Sequence, residues 1–192
     1  MLNRLCVVDK MMDIVIPNNN EEEFIAMAEK LGYNALRFLY DINEYGKKFE
    51  SKKIKVYTGI LADSRNIIKN RHEKVFVAVK SFGDDREIIE QSKADMIFAF
   101  EDSTKRDFIH QRASGLNHIM CKLAKENNVT IGFSLSSILN SGDKHVVLGR
   151  MKQNIKMCKK TRTKTAIASF AKKPSEMRSV HDLKSLFKIL GR

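Results

Sequence analysis

Seven short apolar runs alternate with helical patterns along this chain, and that alternation leaves few folds open. The runs are Ile14-Val15-Ile16, Ala35–Tyr40, Ile54–Leu61, Val75–Val79, Met96–Phe100, Val129–Leu135 and Thr165–Phe170. They are rich in β-branched and aromatic residues and largely apolar on both faces, as parallel strands covered by helices are. Between them, Glu21–Leu31 sets Phe24, Met27, Ala28 and Leu31 on one stripe. Leu116, Ile119, Met120, Leu123 and Ala124 follow helical spacing, and Val147, Met151, Ile155 and Cys158 do the same with Lys152, Lys156 and Lys159 opposite. A last helix is expected from an N-cap at Ser179, with Asp182 three residues on, through Leu183, Leu186, Phe187 and Leu190 to a stop at Gly191. The expectation is an α/β fold with a parallel sheet. Periodicity alone leaves an open doubly wound sheet and a closed barrel both standing.

With 192 residues, only two prolines and no repeat or Ser-rich linker, the chain reads as one domain spanning 1–192. No apolar run is long enough for a membrane span. Met1–Cys6 leads straight into Asp9 and Lys10 without the apolar core of a signal peptide. Cys6, Cys121 and Cys158 are odd in number and far apart, so the expectation is reduced, buried thiols in a cytoplasmic protein.

The net charge of +12 is unevenly placed. Residues 1–143 hold 21 basic and 21 acidic side chains, whereas 144–192 hold 14 basic ones against Glu176 and Asp182 alone. A strongly basic final quarter without aromatic membrane anchors favours a polyanion, nucleic acid first. A solvated basic face with no partner is the bland alternative.

Chemistry-bearing motifs are few. There is no G-x-G-x-x-G, P-loop, H-E-x-x-H or G-x-S-x-G. Polar residues at the ends of the expected strands are Asp63, Glu101, Asp102, Ser134, Ser136, Ser137 and Ser169. Glu101-Asp102 is a carboxylate pair of the kind that holds Mg²⁺ or works as acid and base, although such residues more often cap or solvate. His110 and His118 share a helix face only if that helix begins before His110. The densest cluster is Ser103–His118, where Arg106, His110, Arg112, Asn117 and backbone N–H groups suit phosphate oxygens. The competing reading is an internal network with Asp107 pairing to Arg106 or Arg112. Phe108, Ile109 and Leu116 are expected in the core.

This cluster also carries a resemblance. Arg106-Asp107-Phe108-Ile109-His110-Gln111-Arg112-Ala113-Ser114-Gly115-Leu116-Asn117-His118 is followed by Cys121-Lys122-Leu123-Ala124 and Ile131-Gly132-Phe133-Ser134. Together these resemble ribonuclease P protein component 3, the archaeal counterpart of the thirty-kilodalton eukaryotic subunit. Asp13-Ile14-Val15, Ala28–Tyr33, Ser169, Ala171-Lys172, Met177-Arg178-Ser179 and Asp182-Leu183 fit as well, so the resemblance covers nearly the whole chain. Ala113 departs from it, standing where Asn is common.

The resemblance implies a single TIM-like (β/α) barrel related to polymerase-and-histidinol-phosphatase barrels, with one degenerate unit expected around Asp41–Lys53. It implies a protein subunit of the ribonucleoprotein endoribonuclease that removes 5′ leaders from precursor tRNA, in which the RNA subunit is the catalyst and this chain is not. Its partners would be ribonuclease P RNA, the other ribonuclease P proteins and protein component 2, the latter as pairs of heterodimers. No cofactor or metal is expected on this chain, Mg²⁺ serving the RNA catalyst. Arg106, His110, Arg112, Lys122, Lys172 and Arg178 are the expected RNA contacts, with Asp107 orienting an arginine and Asp182 orienting Arg178. Lys152, Lys156, Lys159, Lys160, Arg162 and Lys164 supply a diffuse positive field. Two rival readings are a stand-alone metal-dependent phosphoesterase using Asp63, Glu101, Asp102 and His110, and a protein-assembly scaffold.

Overall fold

A computed structural model describes residues 11–44, 49, 51, 53–63, 75–83 and 85–192. Among these, seven strands form one parallel sheet whose spatial order is their order in the chain. They are β1 (Met12–Val15), β2 (Ala35–Tyr40), β3 (Lys55–Asp63), β4 (Phe76–Lys80), β5 (Met96–Phe98), β6 (Thr130–Ser134) and β7 (Thr165–Ala168). The ends of this sheet meet. Phe170 N–H donates to Ile14 O at 2.8 Å, Ile16 N–H donates to Ala171 O at 2.9 Å, and Val15 bridges Ala171 in parallel. The sheet is therefore a nearly closed barrel, which decides between the two architectures that periodicity left standing.

The double-sided apolar pattern now has its cause. In β2, Leu36, Phe38 and Tyr40 pack outward with Phe24 and Ala28 of helix α1 (Glu21–Lys30). Leu39 points the other way and joins Ile14, Ala78, Met96, Phe98, Ala166, Ala168 and Phe170 inside the barrel. Small alanines there leave room for the stacked rings of Phe98 and Phe170, whose centroids are 3.9 Å apart. Both faces of the sheet pack against apolar side chains, so strand residues of either parity are apolar.

Asp13 ties the seam. Its Oδ1 accepts Ser169 N–H at 2.8 Å and Ile14 N–H at 2.9 Å. Burial pushes this carboxyl up to about 6, against the lowering effect of Ser169.

The outer layer continues with α2 (Arg86–Glu90), α3 (His118–Glu126), α4 (Leu135–Leu139), α5 (Lys144–Thr161) and α6 (Val180–Leu190). Ser179 caps α6 as expected, its Oγ accepting Asp182 N–H at 3.2 Å. By contrast, α3 begins two residues later than the stripe from Leu116 suggested, because Asn117 is its N-cap and accepts Met120 N–H at 2.9 Å. His110 thus shares no helix with His118, and the Asn117 side chain is committed to the cap. Among the described residues, no helix is long and apolar enough to cross a membrane.

Cys121 and Cys158 are buried free thiols 3.9 Å apart, while Cys6 and His72 lie outside the described residues. The segment Asp41–Lys53, expected to be degenerate, also lies partly outside them; its described start is a turn.

Candidate nucleic-acid interface

Helix α5 explains why Ser103–His118 holds its shape. Val147, Met151, Ile155 and Cys158 bury one face of α5, and Arg150 and Asn154 fall on that same stripe. A charge on a buried stripe needs partners, and Arg150 has them in the loop. Its Nε donates to Asp107 Oδ1 at 2.8 Å, and its terminal nitrogens donate to the carbonyls of Glu101, Ser103 and Lys105. Asn154 Nδ2 donates to Ser114 O at 2.9 Å, and Gln153 Nε2 donates to Ser114 Oγ at 2.9 Å and Arg112 O at 3.3 Å.

Asp107 closes the loop from within by accepting Ala113 N–H on Oδ1 at 2.9 Å, so a backbone group does at Ala113 what no side chain there can. Its other oxygen lies 3.4 Å from Arg112 Nη1. Partial burial opposes ionisation, but Arg150 and the Ala113 N–H outweigh it and hold this carboxyl below the usual carboxylate range. The expected internal network is thus present, with Arg112 rather than Arg106 as Asp107's ion-pair partner and Arg150 as the strongest member.

Gly115 ends the loop at φ +74°, and a Cβ there would stand 2.8 Å from Phe100 O. Gly115→Ala should lower stability by about 2 kcal/mol or more, or roughly 4–8 °C in Tm, as a thermal melt would show. An unchanged Tm would mean the turn is not tightly held.

Two cavities flank the loop. The first, about 940 Å³, opens over the C-terminal ends of the strands and has a lining of mixed charge, with Lys80, Lys105, Arg106, Arg150, Lys172 and Lys173 beside Glu101, Asp102, Asp107, Asp143 and Glu176. Glu101 lies at its base, fully buried, with Oε1 accepting Ser134 N–H at 3.1 Å. Burial pushes that carboxyl up to about 8, a shift the Ser134 N–H reduces without cancelling. Asp102 pairs with Lys80 at 3.4 Å. The second cavity, about 390 Å³, is lined by Arg112, Lys152, Lys156 and Lys160 of the loop and α5, with Arg112 lying over Gly149, where a side chain would collide with it.

The structure therefore brings Arg106 and Lys172 together at one mouth and Arg112, Lys152 and Lys156 together at the other. His110 stands exposed at the loop tip, and Lys122 is exposed on α3 without lining either cavity. Lys159 donates to the Gly191 carbonyl and Lys164 to the Asn128 side-chain oxygen, so each also links two distant segments. Arg162 caps the end of α5 at φ 58°.

Arg178 donates to the carbonyls of Ser175 and Met177 at 2.9 and 2.7 Å. Asp182 does not orient it; its Oδ2 accepts the Ser179 hydroxyl at 2.8 Å, because the N-cap geometry places that hydroxyl first. Phe108 and Ile109 are not core either, being 74% and 95% exposed, whereas Leu116 is buried. Pinning by Arg150 sends the loop outward before the apolar pair is reached.

Arg150, Gln153, Asn154, Lys105 and Lys173 were not among the expected site residues. For Arg150 and Asn154 the available signal was their place on the apolar stripe of α5. The phosphoesterase set is not assembled: Glu101 is buried, Asp102 is paired, His110 is at the tip, and the Asp63 side chain lies outside the described residues. Among the described residues, no three His, Cys, Asp or Glu side chains gather as a metal site would need.

The family model for RNase P subunit p30 matches residues 10–191 of this chain. The chain belongs to that family. It is, with the family, a protein subunit of ribonuclease P. A ribonuclease P protein component 3 from Methanococcus maripaludis is 25% identical over 182 residues, covering 84% of this chain and 75% of the relative. One from Methanocaldococcus jannaschii is 22% identical, covering 93% of this chain and 82% of the relative. In fold, the chain matches a protein in the cryo-EM structure of archaeal ribonuclease P with mature tRNA, with a TM-score of 0.75 and 21% identity over 93% of this chain and 83% of that one. It also matches a histidinol phosphate phosphatase from Lactococcus lactis, with a TM-score of 0.65 and 10% identity over 95% of this chain and 94% of that one. The p30-family chain thus shares its barrel with a phosphatase.

Proposed function

We propose that this chain binds the catalytic RNA of ribonuclease P and acts by neutralising phosphates where that RNA meets precursor tRNA, the RNA itself carrying out 5′-leader cleavage. The family match along residues 10–191 is the observation that carries the reading. The groove of Arg112, Lys152, Lys156 and Lys160 on one side of a pinned loop, with Arg106 and Lys172 at the mixed-charge cavity on the other, supports such a role, since fixed cations position a phosphate backbone without reading sequence. The Arg106–Lys172 mouth and the Arg112–Lys152–Lys156 groove contact RNA, together with His110, Lys122 and Arg178. Lys159, Arg162 and Lys164 add to the long-range field. Protein component 2 is the expected partner, as pairs of heterodimers, in a cytoplasmic assembly. Lowered phosphate repulsion reduces the Mg²⁺ that the RNA requires.

The test is reconstituted cleavage of precursor tRNA with and without this chain at limiting Mg²⁺, alongside RNA binding across a salt series. The chain should raise the cleavage rate when RNA is present and give no cleavage without it. If about six to ten phosphates are neutralised, affinity should fall about 10³- to 10⁵-fold between roughly 50 and 200 mM salt. A flat salt response, or cleavage by the protein alone, would overturn the proposal.

A further inference from the structure

We infer that Phe108 is a stacking platform for an unpaired RNA base, an inference that rests on the RNA-binding role proposed above. The sequence places Phe108 and Ile109 side by side in an apolar pair that reads as core, yet both project into solvent at the tip of the 103–117 loop. Isolated exposed apolar side chains are ordinary. This pair differs because its backbone is held firmly. Phe108 N–H donates to Gln111 O at 2.8 Å, Asp107 accepts Ala113 N–H, and Asp107 is itself gripped by Arg150. The tip is thus ordered before any partner arrives, and little conformational freedom is lost on binding.

The surroundings select the occupant. Arg106 lines the cavity on one side of the tip and Arg112 the groove on the other, with His110 exposed between them. The loop's acid, Asp107, is shared between the buried Arg150 and Arg112, so it offsets Arg112 only in part. An aromatic face between two cations fits a single-stranded nucleotide run, with phosphates on the arginines and a base on the ring. A duplex would not serve, because its bases are already stacked on each other. An apolar patch on another protein would instead have to be seated among desolvated cations.

The chain contains no tryptophan, so Phe108→Trp introduces a single fluorescent reporter at the tip. Single-stranded oligoadenylate should strongly quench that indole, while an RNA duplex of equal length should leave its emission nearly unchanged. Phe108→Ala should weaken oligoadenylate binding by about tenfold, and Phe108→Tyr should restore it. The slope of affinity against salt should stay at its wild-type value in all three variants, since no phosphate contact is removed. Because Phe108 is 74% exposed, the variants should melt with the wild-type chain, and that melt separates a lost contact from a lost fold.

Wild-type affinity in Phe108→Ala would overturn the inference. So would emission unmoved by RNA but blue-shifted by protein component 2, which would make the tip a protein contact. If the wild-type chain itself failed to bind RNA at low salt, the broader RNA-binding role would fall, and this inference with it.

Discussion

Arg150→Ala should lower the unfolding free energy by about 3–5 kcal/mol and free the 103–113 loop from α5. The Arg150 side chain is only 7% exposed, and its guanidinium joins Asp107 to the backbone carbonyls of Glu101, Ser103 and Lys105. Alanine leaves those acceptors facing a void. Lysine at the same position should rescue only in part, because an ammonium cannot reproduce a planar fork that reaches both a carboxylate and several carbonyls.

Two measurements check this. Chemical denaturation gives the stability loss. Limited trypsinolysis should show faster cutting at Lys105, Arg106 and Arg112, all exposed on the freed loop. RNA affinity should fall as well, although Arg150 is itself buried, because Arg106 and Arg112 lose their fixed spacing. A variant within about 1 kcal/mol of wild type, cut at the same rate, would show that the loop holds without its arginine.

The second large effect concerns pH. Glu101 is fully buried and its carboxyl is pushed from 4.5 to about 8, so the folded chain keeps a proton that the unfolded chain has already released over that interval. A state that binds more protons loses stability as pH rises. Wild-type stability from this group is therefore fully present below about pH 4.5, declines by roughly 1.4 kcal/mol per pH unit above it, and is lost as pH passes about 8. Glu101→Gln keeps an acceptor for Ser134 N–H and cannot ionise. Its stability relative to wild type should rise with pH, by about 3 kcal/mol between pH 4.5 and 7. Asp13, pushed up to about 6, titrates in both proteins and drops out of the difference. A difference that does not change with pH would show that the folded chain does not hold the Glu101 proton above its ordinary range.

Much of this fold is legible in the residues because it is written locally. Strand after strand is apolar at both parities, and the helices between them carry stripes at helical spacing, so a parallel sheet under helices follows from short continuous apolar runs alternating with a period of 3.6. The partition of charge, neutral to residue 143 and basic beyond it, is likewise visible without coordinates. So is the dense cationic motif at 106–118, and with it the family.

Three matters belong to the tertiary structure. Closure of the sheet depends on Phe170 reaching Ile14, a contact between chain ends that no local period encodes. The fate of Phe108 and Ile109 depends on Arg150, forty-three positions away from Asp107 in sequence, which draws the loop base onto α5 and leaves its tip in water. Leu116, of the same apolar character and only seven residues beyond Ile109, is buried because it lies past the pinned turn at Gly115. The grouping of cations is the third: Arg106 and Lys172 line one cavity because the loop and the segment after β7 both lie at the C-terminal end of the barrel, and Arg112 lines a groove with Lys152 and Lys156 because the loop crosses α5. The sequence by itself determined which residues are apolar, which are charged and the order in which strands and helices alternate, because those preferences act over a few residues. Which charge is buried, which ring is exposed and which cations share a groove was decided only by the barrel, because those outcomes depend on contacts between segments far apart in the chain.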